Sequence, residues 1–427
     1  MANPLGIFFS RLAPDDKKFV KKIGISLLVL LVLSGLAWYL FATFGTMEIK
    51  KPQKIEQPAI FEMPPGPEEV PGIDDFSHHV AHEQAAEPVG DKFDEQAHLQ
   101  LMRQNASKYN YKQAYLHGAR ITGSLLADKE LIAEWGKVLL EAGKPKDAVF
   151  VLQKIALEDT VKSDVSIDMA FAMFYSGNAD GAIEFLDSKM QNNSDSDLLA
   201  AKASIIGNNP DAKRSAAADT IFLKCMKSGN VSPRANYWHG RYLMERGDYK
   251  NSKAYLEKAV KAKPNEPRYI ARLGMAEFYL KQDSNAEALY KKALNTNPYD
   301  YNTWFNLGEL YLSKANESIV REDILRKTKQ ALEAYSMTIK NDSLHAKAHY
   351  RIGHILNWNG QHKEAIKHLS IALENMSGNI PVMQQLSAAY IKVGDTARAI
   401  GYLDVILQID PFNKVAAEEF NRIRGKR

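Results

Sequence analysis

The stretch NYWHGRYLMERGDYKNSKAYLEKAVKAKP, beginning at Asn236, sets aromatic and aliphatic residues at the three- and four-residue spacing of one helix face. The spacing breaks at Gly247-Asp248, resumes, and stops at Pro264, which reads as two helices joined by a tight turn. The pattern returns with a period of 34: Gly240, Gly274 and Gly308 fall in step, as do Ala259 with Ala293 and Pro264 with Pro298. Downstream, Gly360 pairs with Gly394, Ala365 with Ala399 and Ser377 with Pro411; upstream, Gly143 pairs with Gly177 and Ala148 with Ala182. A period of this size containing helical spacing predicts an all-α solenoid of stacked helix pairs. Nine units are predicted, beginning near Glu95, Lys129, Ser163, Asp197, Pro233, Pro267, Tyr301, Ala346 and Ile380. The seventh carries about eleven extra residues in SKANESIVREDILRKTKQ, an insertion near 313–325, and 414–427 reads as a capping helix.

The recurring residues resemble the tetratricopeptide repeat family. The first-helix pattern is fullest in YNTWFNLGELYL, with Trp304, Leu307, Gly308 and Tyr311 in place. The second-helix pattern is carried by GDYKNSKAYLEKAVKAKP and AEALYKKALNTNP, with Ala286, Tyr290, Ala293 and Pro298. The match is good over 233–413 and degenerate over 93–232, where Met102, Ala170 and Ser204 stand at the first-helix glycine place and Gly136 is kept.

The resemblance implies a right-handed superhelical solenoid whose concave face is lined by the first helix of each pair. In that family the second, fifth, sixth and ninth positions of this helix meet ligands. The corresponding residues here are Arg234, Tyr237, Trp238 and Arg241 in the fifth unit, and Arg268, Arg272 and Met275 in the sixth. The seventh unit supplies Asn302, Phe305, Asn306 and Glu309, and the eighth Lys347, Tyr350, Arg351 and His354. Cations and aromatics dominate, so the groove is expected to favour acidic or carboxylate-bearing segments with apolar anchors. The family's carboxylate clamp is incomplete: Asn306, Lys347 and Arg351 match, but Ala271 and Met275 stand where a lysine and an asparagine are needed.

Ahead of the repeats the pattern changes twice. No charged residue occurs from Ile23 to Met47, and at about 1.5 Å per residue such a run spans a ~30 Å hydrocarbon core. Trp38 and Tyr39 lie toward one end, where amphipathic rings favour the interface. The run is longer than a signal-peptide core and no A-x-A-like site follows it, so 23–47 is expected to be an uncleaved transmembrane helix. Arg11, Lys17, Lys18, Lys21 and Lys22 precede it, against Lys50, Lys51 and Lys54 after it. That asymmetry places 1–22 in the cytoplasm and the repeats outside it, as in a bacterial inner-membrane protein with a periplasmic repeat domain. Residues 48–92 hold seven of the seventeen prolines. They read as an extended linker, or as a docking peptide through PAIFEMPPGP.

Charge and chemistry narrow the function. A net charge of +4 over 427 residues gives no footprint for nucleic acid. The single cysteine, Cys225, excludes an internal disulfide framework and a cysteine zinc site; beside Ile221 and Phe222 it reads as a buried small hydrophobe. No phosphate loop, dinucleotide fingerprint, GxSxG or HExxH occurs, so no enzyme, cofactor or metal site is expected. His345, His349, His354, His362 and His368 lack a carboxylate or cysteine to complete a ligand set and read as surface and groove residues. The expected function is a membrane-anchored, non-enzymatic scaffold that binds partner proteins or peptides through its groove, in a homo- or hetero-oligomeric envelope assembly serving secretion, pili, motility or wall building. The alternatives are a cytosol-facing receptor or co-chaperone delivering clients to a membrane machine, and an accessory subunit of an envelope enzyme complex.

Overall fold

The computed structural model describes residues 94–425 apart from 127, 159–160, 191–194, 209–211 and 228–230. The expected cytoplasmic segment 1–22, transmembrane helix 23–47 and Pro-rich linker 48–92 lie outside the described residues. Among those described, no helix is long and apolar enough to cross a membrane.

The described residues are helical, without strands, and form a solenoid of consecutive pairs. The first three pairs are α1 (Glu95–Ser107) with α2 (Tyr111–Gly118) and a short α3 (Thr122–Leu125), α4 (Lys129–Glu141) with α5 (Pro145–Ala156), and α6 (Ser163–Tyr175) with α7 (Ala179–Met190). Next come α8 (Ser196–Gly207) with α9 (Ala212–Lys227), α10 (Pro233–Glu245) with α11 (Tyr249–Ala262), and α12 (Pro267–Tyr279) with α13 (Asp283–Thr296). The last are α14 (Tyr301–Glu317) with α15 (Arg321–Asn341), α16 (Ala346–Trp358) with α17 (His362–Asn375), and α18 (Ile380–Lys392) with α19 (Thr396–Ile409), followed by α20 (Lys414–Arg424). The fourth pair begins at Ser196, one residue ahead of the expected Asp197, because Asp195 caps the helix by accepting from the Asp197 backbone N–H.

The turns inside the pairs follow from local chemistry. Gly247 sits at φ +77°, and Asp248 then caps α11 by accepting from the Asn251 backbone N–H. In the sixth pair Lys281 takes the left-handed place at φ +61° without a glycine. The helices cross closely at Gly240: a Cβ there would lie 2.7 Å from Leu256 Cγ. The Ser252 hydroxyl fastens the same crossing by donating to the Gly240 carbonyl at 2.7 Å.

Two departures from the regular unit have visible causes. The insertion lengthens both helices of the seventh pair, to 17 and 21 residues. In the first pair the second helix breaks after Gly118, where a Cβ would meet the Trp135 ring at 2.3 Å. Trp135 is buried and stacks on Tyr115 with ring centroids 6.0 Å apart. Cys225 is buried as expected; burial pushes its thiol up to about 11, and Sγ lies 3.3 Å from the Ser196 carbonyl.

Candidate docking groove

The first helices of successive pairs touch one another, α4 with α6, α6 with α8, α8 with α10, α10 with α12 and α12 with α14; α16 also touches α18. The residues expected to face a ligand fall into two groups along this row.

From α4 to α12 the cations are engaged within the chain. The Arg234 guanidinium donates to Asp164 of α6, seventy residues earlier, and lies over the Trp238 ring. Arg241 Nε donates to Glu245 at 2.9 Å. Arg268 Nη1 donates to Glu141 of α4 at 2.7 Å, 127 residues away, which brings the sixth pair against the second. Tyr111 of the first pair lies close by: burial, with the Glu141 charge adding and the Arg268 charge opposing, holds its hydroxyl above the usual range. Between these pairs is Asp168, whose carboxyl burial pushes up to about 6 against the opposing Lys137. Tyr237 stacks on Tyr269 at 4.8 Å. Trp238 was expected to line the groove; it is instead 7% exposed and packs on Phe171 at 5.4 Å. The expected cation excess is therefore largely neutralised in this half, because the stack brings carboxylates of early repeats onto arginines of later ones.

From α12 to α18 the lining differs. Arg272 contacts Met275 Sδ at 3.6 Å and has no carboxylate partner among the described residues. Asn306 Nδ2 also reaches Met275 Sδ, at 4.0 Å. Asn302 and Lys347 are exposed. Phe305 is half-buried against Tyr335 and His345, at 5.6 and 5.0 Å. Arg351 is not free: its Nε and Nη2 bond both oxygens of Glu309 at 2.8 and 2.7 Å. One of the three matches to the family's carboxylate clamp is thus committed internally.

Tyr350 stacks on His354 at 6.1 Å, and beyond them the face opens between α16 and α18 into a cavity of about 240 Å³. It is lined by His354, Trp358, His362, Gln385, Ala388 and Lys392, with Asn357 tied across to the Gln385 carbonyl at 2.9 Å. Burial, with Arg351 adding, pushes His354 down to about 4; burial and Lys392 lower His362. Both imidazoles are neutral at pH 7, so Lys392 is the cation at the cavity. The sequence pattern did not point to this cavity. The signal present was small Ala388 at the ninth position of the ninth unit, in register with His354 of the eighth.

The histidines around the eighth pair also differ from expectation. His349 is 4% exposed and is not a surface residue, whereas His354, 9% exposed, lines the cavity as its groove position implied. His349 Nδ1 lies 2.9 Å from His368 Nδ1, so one ring donates and the other accepts. Among the described residues no group of three or more histidine, cysteine or carboxylate side chains is arranged to hold a metal.

Residues 233–266 and 289–333 each match a family model described as tetratricopeptide repeat. The chain carries tetratricopeptide repeats. A curated relative, the RNA polymerase-associated protein CTR9 of Saccharomyces cerevisiae, is 27% identical over 187 residues, which cover 40% of this chain. The match spans 17% of that relative's length. Among solved structures, a thermophilic tetratricopeptide protein of Thermus thermophilus, TTC0263, is 19% identical, with a TM-score of 0.35, covering 45% of this chain and 98% of its own. YrrB, described as a tetratricopeptide protein with an unusual peptide-binding site, is 16% identical, with a TM-score of 0.37, covering 46% and 96%.

Proposed function

We propose that this chain is a non-enzymatic, membrane-anchored scaffold that receives acidic segments of partner proteins in the groove of its sixth to ninth repeats, within a cell-envelope assembly. One contrast carries the reading: the groove-position arginines Arg234, Arg241 and Arg268 are paired internally, whereas Arg272, Lys347 and Lys392 have no carboxylate partner among the described residues and stand beside Met275, Tyr350 and a Trp358-walled cavity. Unpaired cations next to apolar anchor sites suit an extended ligand carrying carboxylates and bulky side chains.

A double charge reversal tests the site. Arg272→Glu/Lys347→Glu is expected to keep the helical content and weaken binding of an acidic, aromatic-bearing peptide at least tenfold, measured by fluorescence anisotropy. Unchanged affinity in the folded variant removes the groove from the account. Arg351 is unsuitable for this test because its loss strands Glu309.

Anchoring rests on the uncharged run 23–47, and orientation on the lysines and arginine that precede it. Protease added outside spheroplasts is expected to remove the repeats. Protection of the repeats reverses the orientation and favours the cytosol-facing receptor.

A further inference from the structure

We propose that the paired histidines at two helix crossings, His349 with His368 and His98 with His117, each take a divalent transition-metal ion of the copper or nickel kind between their Nδ1 atoms, with water completing the shell. The proposal goes beyond the groove reading and does not depend on it.

The two pairs are one arrangement built twice. His98 and His349 are the fourth residues of α1 and α16, and His117 and His368 the seventh of α2 and α17. The facing Nδ1 atoms lie 3.1 Å apart in the first pair of helices and 2.9 Å apart in the eighth. The same two places hold Ile132 with Val151 in the second pair and Ile270 with Leu289 in the sixth. Packing alone therefore does not call for imidazoles at this crossing, and burying them costs free energy unless their nitrogens find a partner.

The spacing fits an ion. Metal–imidazole bonds of about 2.0–2.1 Å set two ligand nitrogens about 2.9 Å apart at a right angle and about 3.3 Å apart at a tetrahedral one. The observed separations lie at the right-angle end, the geometry of tetragonal copper or nickel.

His349 is already set as a ligand. Its Nε2 lies 3.1 Å from the Ser343 carbonyl, which only accepts, so the proton sits on Nε2 and the Nδ1 lone pair faces His368. Such a backbone bond is the outer partner that fixes the tautomer of a metal-binding imidazole. His368 then donates from Nδ1. To admit the ion it gives up that proton and takes one at Nε2, so the ring stays neutral. The rings meet nearly end to end, with centroids 5.1 Å apart, and must turn until both lone pairs reach one point. His368 is only partly buried, which leaves water a way to the remaining coordination positions. Asp342 and Glu364 place negative charge near the two rings, opposed by Lys367. A bound ion ties the first helix of each pair to the second.

Cu²⁺ titration of the full chain, purified in detergent without an affinity tag, tests this. His78→Gln/His79→Gln/His82→Gln serves as the background, which removes a histidine cluster outside the described residues. Calorimetry is expected to show two equivalents more than in the folded His117→Gln/His368→Gln variant, and one more than in either single variant. Electron paramagnetic resonance of the loaded parent is expected to show nitrogen splitting from two imidazoles per ion, a signature that a purely structural histidine pair does not produce. Ni²⁺ is expected to raise the thermal midpoint of the parent and to leave that of the double variant where it was. Equal copper uptake by parent and double variant overturns the proposal. Should the double variant fail to fold, the parent's spectrum decides: splitting from two nitrogens supports the site, and splitting from one overturns it.

Discussion

Replacing Tyr335 with alanine is expected to lower the unfolding free energy by about 4 kcal/mol, the upper range for truncating a buried aromatic. Tyr335 is fully buried on α15, with its ring directly under the Gly308 backbone of α14, where a Cβ would come within 2.5 Å of it. Its hydroxyl donates to Glu309 Oε1 at 2.5 Å, and the same carboxylate accepts both bonds from Arg351. One side chain therefore fills the crossing inside the seventh pair and orients the ion pair that joins the seventh pair to the eighth. Truncation opens a cavity and takes a donor from a carboxylate that is only 17% exposed. Tyr335→Phe separates the parts, keeping the packing and losing about 1.5–3 kcal/mol for a hydrogen bond to a charged acceptor. Urea unfolding, with hydrogen exchange to localise the loss to α14–α16, measures both. An alanine variant within 1 kcal/mol of the parent contradicts this account of the junction.

Acidification is expected to destabilise the repeats by about 3–6 kcal/mol between pH 7 and pH 4. Burial pushes His239 down to about 4, with Asp219 opposing and Lys258 adding; it pushes His354 to the same value, with Arg351 adding. Burial and His349 do the same to His368. His239 is 6% exposed, sandwiched between Phe222 at 4.6 Å and Tyr255 at 4.2 Å, so its charged form has little access to water. These groups bind protons more weakly folded than unfolded. Their contribution is constant above the unfolded pKa of about 6.5 and falls as pH drops from there toward about 4, because the unfolded chain protonates first. His239 and His354 each account for about 3 kcal/mol over that window. Asp168 works the other way: its raised carboxyl pKa favours the folded state as pH falls through about 6, which offsets part of the loss. Thermal unfolding from pH 7.5 to 4 is expected to give a flat midpoint above pH 7 and a falling one below 6.5. A midpoint that stays level or rises to pH 5 contradicts the burial of these rings.

The architecture was legible because its determinants are local and repeat. Small residues at Gly240, Gly274 and Gly308, alanines at 259 and 293, and the Gly-Asp turns all act within one pair, so a period in the sequence is a period in the structure. Even where the glycine is lost, at Met102, Ala170 and Ser204, the helical spacing persists and first helices begin at Glu95, Ser163 and Ser196. The groove was only partly legible, because its electrostatics depend on how the stack curves. Nothing in one repeat announces that Asp164 will meet Arg234 or that Glu141 will meet Arg268 across 127 residues. The Glu309–Arg351 pair was closer to the surface of the pattern, since both stood at groove positions of adjoining repeats. Trp238 shows the limit of position counting: the helix turns it toward Phe171, and its apolar area decides the matter. His349 was misplaced for a related reason, because a histidine carries no sign of burial until its neighbours are known.

The most direct measurement is binding of the full chain, in detergent, to an array of extended peptides that varies net charge and bulky apolar anchors independently. Retained signal is expected to rise with carboxylate count, to require at least one aromatic or large aliphatic anchor, and to fall as salt rises toward about 0.5 M. Preference for basic or uncharged peptides, or binding indifferent to the apolar anchor, contradicts the claim that the later repeats form an acidic-segment docking groove.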